Sequence, residues 1–179
     1  MAGGNIFLVG MMGAGKTTLG RALAQRAGLE FVDTDRVLVE RTGVPVATIF
    51  EIEGEEGFRR RESGVIAELA GHRGCVVATG GGAVLSEENR RVMRAAGTVI
   101  YLRARLESLW ERTRHDTSRP LLSTPDPRTT LAQILEKRDP LYREAAHLVV
   151  ETGSQSSATL VNRVMAALRQ HAALPGSAP

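Results

Sequence analysis

The segment IFLVGMMGAGKT, residues 6–17, decides the fold of this chain. Its first four residues are apolar and predict a buried strand. The next eight match G-x-x-x-x-G-K-[ST], a pattern in which the backbone N–H groups of a tight glycine loop surround a phosphate. A helix predicted from Thr17 to Ala27 presents its positive N-terminal end to the same anion. Strand, loop and helix therefore occur in the order that a nucleotide-binding P-loop requires.

Short apolar runs alternate with amphipathic segments along the rest of the chain. Strands are predicted at 6–9, 29–32, 75–78, 98–102 and 147–151, and helices at 17–27, 58–71, 86–96, 106–114, 128–139 and 157–171. This alternation predicts an α/β fold in which a parallel sheet is covered by helices on both faces. We expect one domain over residues 1–179, with 172–179 as a flexible tail.

The bulk composition favours a compact enzyme-sized domain. The chain has 179 residues, 42% of them hydrophobic, and a net charge of +3. A pI near 9.6 is weak evidence for nucleic-acid binding when the net charge is this small. The single cysteine, Cys75, excludes an internal disulfide, and no segment has the apolar length of a signal peptide or membrane helix. We therefore expect a cytoplasmic monomer that binds neither membranes nor nucleic acid.

Two aspartates one residue apart stand out in FVDTDR, residues 31–36. If the apolar run before them continues as a strand, Asp33 and Asp35 project from the same face. Two carboxylates that close repel each other unless a cation separates them. The residues alone leave three interpretations open: a shared metal, a division of two tasks, or the start of a turn.

Six motifs in a fixed order resemble those of the shikimate kinases. They are GMMGAGKTT, DTD at 33–35, GEEGFRRRE at 54–62, TGGGAV at 79–84, RPLL at 119–122 and KRDPLY at 137–142. The resemblance implies a P-loop, three-layer α/β/α fold like that of the nucleoside monophosphate kinases, with a five-stranded parallel sheet. It also implies a substrate-binding region at about 33–62 and a mobile lid at about 112–128. The implied reaction transfers the γ-phosphate of ATP to the 3-hydroxyl of shikimate, in aromatic amino-acid biosynthesis.

The resemblance also implies roles for individual residues. The catalytic residues are implied to be Lys16, Asp35 and Arg119. The implied ATP contacts are Gly13, Ala14, Gly15, Lys16, Thr17, Thr18, Arg112, Arg119 and Gln155. The implied shikimate contacts are Asp35, Arg59, Gly80, Gly81, Gly82 and Arg138. Mg²⁺ is implied to be the cofactor, with Thr17 and Asp33 at the metal, the aspartate through bound water.

The charge of shikimate agrees with these assignments, but each residue also has a plainer interpretation. Two guanidinium groups can bind one carboxylate through charge-assisted hydrogen bonds, as Arg59 and Arg138 are implied to do. Arg59 otherwise belongs to a solvated run of three arginines, and Arg138 otherwise caps the 128–139 helix. Arg112 is nearly as well explained by a position on a helix surface. Glu62, three residues after Arg59, is expected to hold its guanidinium in place.

Two rival functions remain at this point. A gluconate kinase of the same fold also acts on an acidic polyol, so charge alone does not exclude it. A non-catalytic P-loop module would bind nucleotide and a macromolecular partner. The presence of DTD, GEEGFR and TGGGAV together favours shikimate. The absence of a clustered Lys/Arg tract beyond the short arginine triplet argues against the second rival.

Overall fold

A parallel five-stranded sheet lies at the centre of the computed structural model, which describes residues 4–116, 118–153 and 155–173. The strands are β1 Asn5–Val9, β2 Glu30–Asp33, β3 Cys75–Ala78, β4 Gly97–Ala104 and β5 Leu148–Thr152. Their order across the sheet is β2-β3-β1-β4-β5, and every neighbouring pair is parallel. The predicted five-stranded parallel sheet is confirmed.

Helices connect the strands and cover the sheet. They are α1 Lys16–Ala27, α2 Thr34–Thr42, α3 Val46–Ala70, α4 Glu87–Ala96, α5 Leu106–Thr113, α6 Pro127–Ala145 and α7 Ser157–Ala173. Helices α1 and α7 pack together, whereas α4 contacts both α3 and α6. Every residue of β1 and β3 is buried, because the central strands of a parallel sheet have helices on both faces. The predicted α/β architecture is therefore confirmed.

Strand β2 ends one residue later than the predicted strand at 29–32, and a helix follows it directly. The strand stops at Asp33, and α2, which the sequence pattern did not predict, begins at Thr34. The Asp33 side chain caps this helix by accepting the backbone N–H groups of Asp35 at 3.1 Å and Arg36 at 3.4 Å. Aspartate is among the preferred residues at this position because its carboxylate satisfies such N–H groups. Asp35 therefore lies in α2 and not in the strand, so the condition under which the two aspartates would share one strand face is not met.

Two other helices are longer than predicted. Helix α3 begins at Val46 rather than 58, and its axis is interrupted at Gly54, which has φ 69° and ψ −179°. Helix α6 continues past 139 and through Pro140 to Ala145. Proline removes one helical hydrogen bond, but Tyr142 and Ala145 beyond it are fully buried, and their packing offsets that loss. Arg138 therefore lies inside α6, and the alternative that it caps the helix end is wrong.

The P-loop leaves the carboxyl end of β1 in a path that glycine makes possible. Gly15 precedes α1 with φ 93°, a left-handed conformation that residues with a Cβ rarely adopt. A Cβ on Gly10 would lie 2.6 Å from the Leu102 carbonyl oxygen, so the loop can approach β4 only without one. Because β1 lies between β3 and β4, the loop also meets the glycine turn that follows β3. This meeting point at the sheet edge is where ligands of open α/β folds bind.

Across the ranges described above, no helix combines the length and apolar character needed to cross a lipid bilayer.

Candidate active site

Lys16 lies at the centre of the P-loop cavity. Its ammonium group donates to the carbonyl oxygens of Gly10 at 2.7 Å and Met11 at 2.9 Å. The pKa of Lys16 is lowered to about 8, mainly by burial; the charge of Asp35 opposes the shift, and the charge of Arg119 contributes to it. Lys16 and Arg119 therefore place positive charge where a phosphate would lie. The negative charge of a bound phosphate would raise the pKa of Lys16 back towards its ordinary value.

Thr17 and Asp33, the two residues implied for the metal, are in direct contact. The Thr17 hydroxyl donates to Asp33 Oδ2 at 2.8 Å, while Asp33 Oδ1 caps α2. Both oxygens lie on the rim of the cavity that contains Lys16. Hydroxyl and carboxylate oxygens are the ligand types that Mg²⁺ prefers.

Asp35 lies in the first turn of α2 and faces the cavity. Its Oδ1 atom is buried and has no hydrogen-bond partner within the described residues. Burial and the neighbouring charge of Asp33 raise the pKa of Asp35, although Lys16 opposes the shift. A buried acceptor without a donor is costly in a folded protein, which indicates that a ligand donates to it.

The glycine turn after β3 lets two carboxylates approach the backbone. The Gly80 N–H donates to the hydroxyl of buried Thr34 at 3.0 Å. A Cβ on Gly80 would collide with Glu62 Oε1 and would lie 3.1 Å from Asp35 Oδ1. A Cβ on Gly82 would collide with the guanidinium of Arg59. The turn is therefore more than a change of chain direction, because its missing side chains leave room for charged groups.

Arg59 is held on two sides by carboxylates. Its Nη1 atom donates to Glu62 Oε2 at 2.7 Å, and its Nη2 atom donates to Glu55 Oε1 at 3.2 Å. Glu62 is completely buried, whereas half of the Glu55 side chain is exposed. The guanidinium also lies over the ring of Phe58, 5.1 Å from its centroid. The prediction that Glu62 holds Arg59 in place is confirmed.

Arg60 and Arg61, in contrast, lie on the solvated face of the same helix. Arg60 pairs with Glu56 at 2.7 Å, and Arg61 pairs with Glu53 at 2.6 Å. The Arg60 side chain is 68% exposed, and that of Arg61 is 45% exposed. Their predicted role as solvated surface charges is confirmed, and it separates them from Arg59.

All six residues implied for shikimate line one pocket. Its volume is about 260 Å³. Arg59 enters it from α3 and Arg138 from α6, and Arg138 is only 5% exposed. Phe50 and Phe58 form an apolar wall, with ring centroids 4.6 Å apart. The other lining residues are Met12, Asp35, Val46, Gly80, Gly81, Gly82, Ser118, Arg119, Pro120 and Leu121.

A second cavity, of about 220 Å³, adjoins this pocket along the P-loop. It is lined by Met12, Gly13, Gly15, Lys16, Thr17, Thr18, Asp33, Asp35, Thr79, Gly80, Gly81 and Arg119. Five residues line both spaces, namely Met12, Asp35, Gly80, Gly81 and Arg119. A ligand in one space is therefore adjacent to a ligand in the other across this shared wall.

A third cavity, of about 260 Å³, lies on the other side of the P-loop. Arg112 crosses it, donating to the carbonyl oxygens of Gly13 at 3.0 Å and Gly153 at 3.1 Å. Gln155 lines it and donates to the Glu151 carbonyl at 2.9 Å. Ala14, Gly15 and Thr18 complete its P-loop side. Ser154, which precedes Gln155, is outside the described residues.

Arg119 belongs to the segment between α5 and α6 that was predicted as a lid. Its Nε atom donates to Asp116 Oδ2 at 2.8 Å, and the Ser118 N–H donates to the same carboxylate at 3.0 Å. Thr117, within the predicted lid, is outside the described residues. Asp116 was not singled out from the sequence, although its spacing of three residues from Arg119 was a usable signal.

The family model described as Shikimate kinase matches residues 12–169. The chain belongs to the shikimate kinase family. The shikimate kinase of Nitrosospira multiformis is 61% identical over 155 residues, which cover 87% of this chain and 80% of that protein. The shikimate kinase of Bordetella avium is 55% identical over 166 residues, which cover 93% of this chain and 79% of that protein. The structure of a shikimate kinase from Acinetobacter baumannii in complex with shikimate is 43% identical, has a TM-score of 0.93 and covers 96% of each chain.

The residue roles implied by the resemblance omit two buried groups that the structure places at the site. Thr34 is the middle residue of DTD, and its hydroxyl accepts the Gly80 N–H at 3.0 Å. Tyr142 is the last residue of KRDPLY, and its hydroxyl donates to the Gly81 carbonyl at 2.5 Å. Each belongs to a motif quoted from the sequence. The contacts themselves join segments far apart in the chain, so no local pattern predicts them.

Proposed function

We propose that this chain transfers the γ-phosphate of ATP to the 3-hydroxyl of shikimate, giving ADP and shikimate 3-phosphate. The observation that carries the proposal is the shared wall between the two cavities. Asp35, Gly80, Gly81 and Arg119 border both the P-loop cavity and the pocket with two arginines. A phosphate held by the P-loop and an alcohol held in the pocket would thus meet across this wall.

The pocket suits a small anionic polyol. Arg59 and Arg138 would bind the carboxylate, because each guanidinium presents paired N–H donors to carboxylate oxygens. Arg59 would do so without reorganising, since Glu62 and Glu55 already fix it. Phe50 and Phe58 would contact the ring carbons, and the orphaned Oδ1 of Asp35 would accept from a hydroxyl.

ATP would bind with its phosphates in the P-loop. Lys16 would exchange its two carbonyl acceptors for phosphate oxygens, and Arg119 would add a second cation from the lid. Charge that develops on the transferring group would then be stabilised by groups already in place. The base would lie in the third cavity, beside Arg112 and Gln155.

Thr17 and Asp33 would hold Mg²⁺, and their chemistry fits that ion. Two oxygens that lie 2.8 Å apart face the phosphate cavity. No group of three or more His, Cys, Asp or Glu side chains suited to a metal occurs in the part of the chain described here. The protein thus offers few ligands, as Mg²⁺ sites commonly do when phosphate and water supply the rest. Bound Mg²⁺ would neutralise charge on the phosphates during transfer.

Asp35 would orient the attacking hydroxyl first and accept its proton second. A new bond forms between the 3-oxygen and the γ-phosphorus as the bond from phosphorus to the β,γ-bridging oxygen breaks. The proton leaves the alcohol late, because a loose transition state demands little early deprotonation. The raised pKa of Asp35 would make it a better proton acceptor once the oxygen has become acidic.

The segment at about 112–128 would act as a lid on this reaction. Its closure would bring Arg119 onto the phosphates and exclude water, which limits hydrolysis of ATP. Asp116 restrains Arg119 in the present conformation. The single-domain organisation, the substrate region at about 33–62, the monomeric state and the cytoplasmic location stay predictions.

ADP release by the purified protein tests this function directly. With Mg²⁺ and ATP, shikimate should stimulate ADP release strongly and gluconate should not. Stimulation by gluconate alone would favour the rival kinase, and no stimulation by either would favour a non-catalytic P-loop module. Arg59→Ala and Arg138→Ala should weaken shikimate use and spare nucleotide binding. Arg60→Ala is the matched control, because Arg60 neighbours Arg59 but pairs with Glu56 on the solvated face.

A further inference from the structure

Tyr142 is a buried residue for which the reaction described above has no use. It lies on α6, one turn after Arg138, and is completely buried. Its hydroxyl donates to the Gly81 carbonyl at 2.5 Å, and the hydroxyl oxygen also lies 3.6 Å from Met11 Sδ. The Tyr142 hydroxyl thus contacts both the P-loop and the glycine turn. Its helix, α6, also carries Arg138, one of the two arginines proposed to bind the substrate.

The Gly81 backbone is surrounded by functional groups. A Cβ on Gly81 would lie 3.5 Å from Arg138 Nη1, from the Gly10 carbonyl oxygen and from the Met12 nitrogen. These are ordinary van der Waals distances. Steric contact therefore does not fix the orientation of the Gly81–Gly82 peptide. Within the described ranges, the N–H groups of Gly81 and Gly82 make no hydrogen bond. Both residues line the pocket, so a ligand bound there would lie close to these N–H groups.

The orientation of one peptide unit therefore depends on Tyr142. In a planar trans peptide, the Gly81 carbonyl and the Gly82 N–H point in opposite directions, so a bond that holds the first also orients the second. A peptide between two glycines has no Cβ on either side to restrict its rotation. Among the described residues, the tyrosine hydroxyl is the only donor to this carbonyl.

The phenol itself is fixed. Its ring stacks on that of Tyr101, with centroids 4.9 Å apart and an angle of 25° between the planes. Burial raises the pKa of Tyr142 to about 12, although the charge of Arg138 opposes the shift. The hydroxyl therefore keeps its proton, and remains a donor, at neutral pH.

We propose that Tyr142 is a positioning residue for the substrate: its hydroxyl holds the Gly81–Gly82 peptide so that the Gly82 N–H faces the shikimate pocket. The role rests on the proposed function, because it concerns how the same pocket binds its polyol. Without the Tyr142 hydroxyl, the Gly81–Gly82 peptide samples orientations in which the Gly82 N–H no longer donates to the bound substrate. The loss would appear in substrate affinity and leave the nucleotide site unaffected.

Tyr142→Phe tests this role, with Tyr101→Phe as the matched control. Both changes remove one hydroxyl from the same stacked pair, but that of Tyr101 donates to Asp139, at 2.8 Å, and not to the glycine turn. In the control variant, Asp139 keeps its other hydrogen bond, which Arg143 Nε donates at 2.7 Å. Shikimate KM, kcat and nucleotide Kd should be measured for both variants, together with thermal unfolding.

Tyr142→Phe should raise shikimate KM roughly fivefold, the effect of losing one net hydrogen bond, with nucleotide Kd unchanged. Tyr101→Phe should leave both constants at the wild-type values. Three results would overturn the proposal: an unchanged KM, an equal rise in the control, or a variant that loses nucleotide binding or fails to fold. Failure of the wild-type protein to release ADP with shikimate would instead refute the proposed function.

Discussion

Glu62→Gln is the sharpest test of how the substrate arginine is organised. The change preserves the size and shape of a side chain that is completely buried and accepts from Arg59 Nη1 at 2.7 Å. It removes the negative charge and replaces one carboxylate oxygen with an NH₂ group, for which the Oε1 position, without a hydrogen-bond partner within the described residues, is available. The amide oxygen of the glutamine can still accept from the charged guanidinium, so only part of the about 1.5–3 kcal/mol of a charged hydrogen bond is lost, about 1–1.5 kcal/mol. If this loss appears in substrate binding, shikimate KM rises roughly tenfold.

The free energy of unfolding should not fall with substrate affinity in the Glu62→Gln variant; it should stay the same or rise. Burial raises the pKa of Glu62 above its ordinary value of 4.5, although the charge of Arg59 opposes the shift. Ionisation of this carboxyl is therefore less favourable in the folded chain than in the unfolded one. The resulting penalty is present above the raised pKa and disappears below pH 4.5. At pH 8 the glutamine variant should melt at or above the wild-type temperature.

Glu55→Gln is the matched control, because Glu55 accepts from the same guanidinium at 3.2 Å but its side chain is 48% exposed. Exposed pairs contribute little, so this variant should keep shikimate KM close to the wild-type value. The assay is ADP release over a shikimate titration at saturating ATP, combined with thermal unfolding. Equal changes in KM for the two variants would refute the reasoning, as would a marked fall in the melting temperature of Glu62→Gln.

Two further predictions concern the groups that handle phosphate and proton. Asp35→Asn should lower kcat by less than about 100-fold, because general base catalysis proper contributes about 10²–10⁴-fold; a near-complete loss would instead identify Asp35 as an essential base. The raised pKa of Asp35 should also place the acid limb of the wild-type rate profile above pH 3.8, since protonation removes the acceptor, and the limb should be absent in the variant. With the pKa of Lys16 lowered to about 8, the free protein loses this charge as pH rises, so nucleotide Kd should increase about tenfold between about pH 7 and pH 9. Equilibrium titration with ATP measures this, and a flat profile would contradict the charge assigned to Lys16.

Local signals predicted the elements whose causes lie within a few residues. The P-loop followed from glycines and a lysine at fixed spacing, and the structure has β1, the loop and α1 in that order. The DTD segment shows the limit of such reasoning. A strand that continued through it was one possibility that the residues left open, but the capping bonds from Asp35 and Arg36 to Asp33 begin a helix there. Alternation over so few residues does not distinguish a strand from a capped first turn.

The local sequence pattern did not predict buried contacts between segments that lie far apart in the chain. Helix α6 passes through Pro140 because residues on both sides are buried against the sheet, which no local propensity indicates. The contact between Asp116 and Arg119 required the conformation of the lid segment rather than its composition. The roles of the arginines came from family resemblance, since charge spacing alone equally suits a solvated helix face.

The sequence by itself determined the phosphate loop, the alternation of strands and helices and the family, because these depend on backbone freedom and periodicity over short stretches. Only the tertiary structure decided that Asp33 faces Thr17, that Arg59 and Arg138 converge on one pocket, and that Tyr142 holds the Gly81 carbonyl. The strand order places the ends of β1, β2 and β3 together, and this brings groups far apart in the chain within hydrogen-bond distance. The two aspartates therefore have different surroundings: Asp33 accepts from the Thr17 hydroxyl, and Asp35 lines the pocket that contains the two arginines.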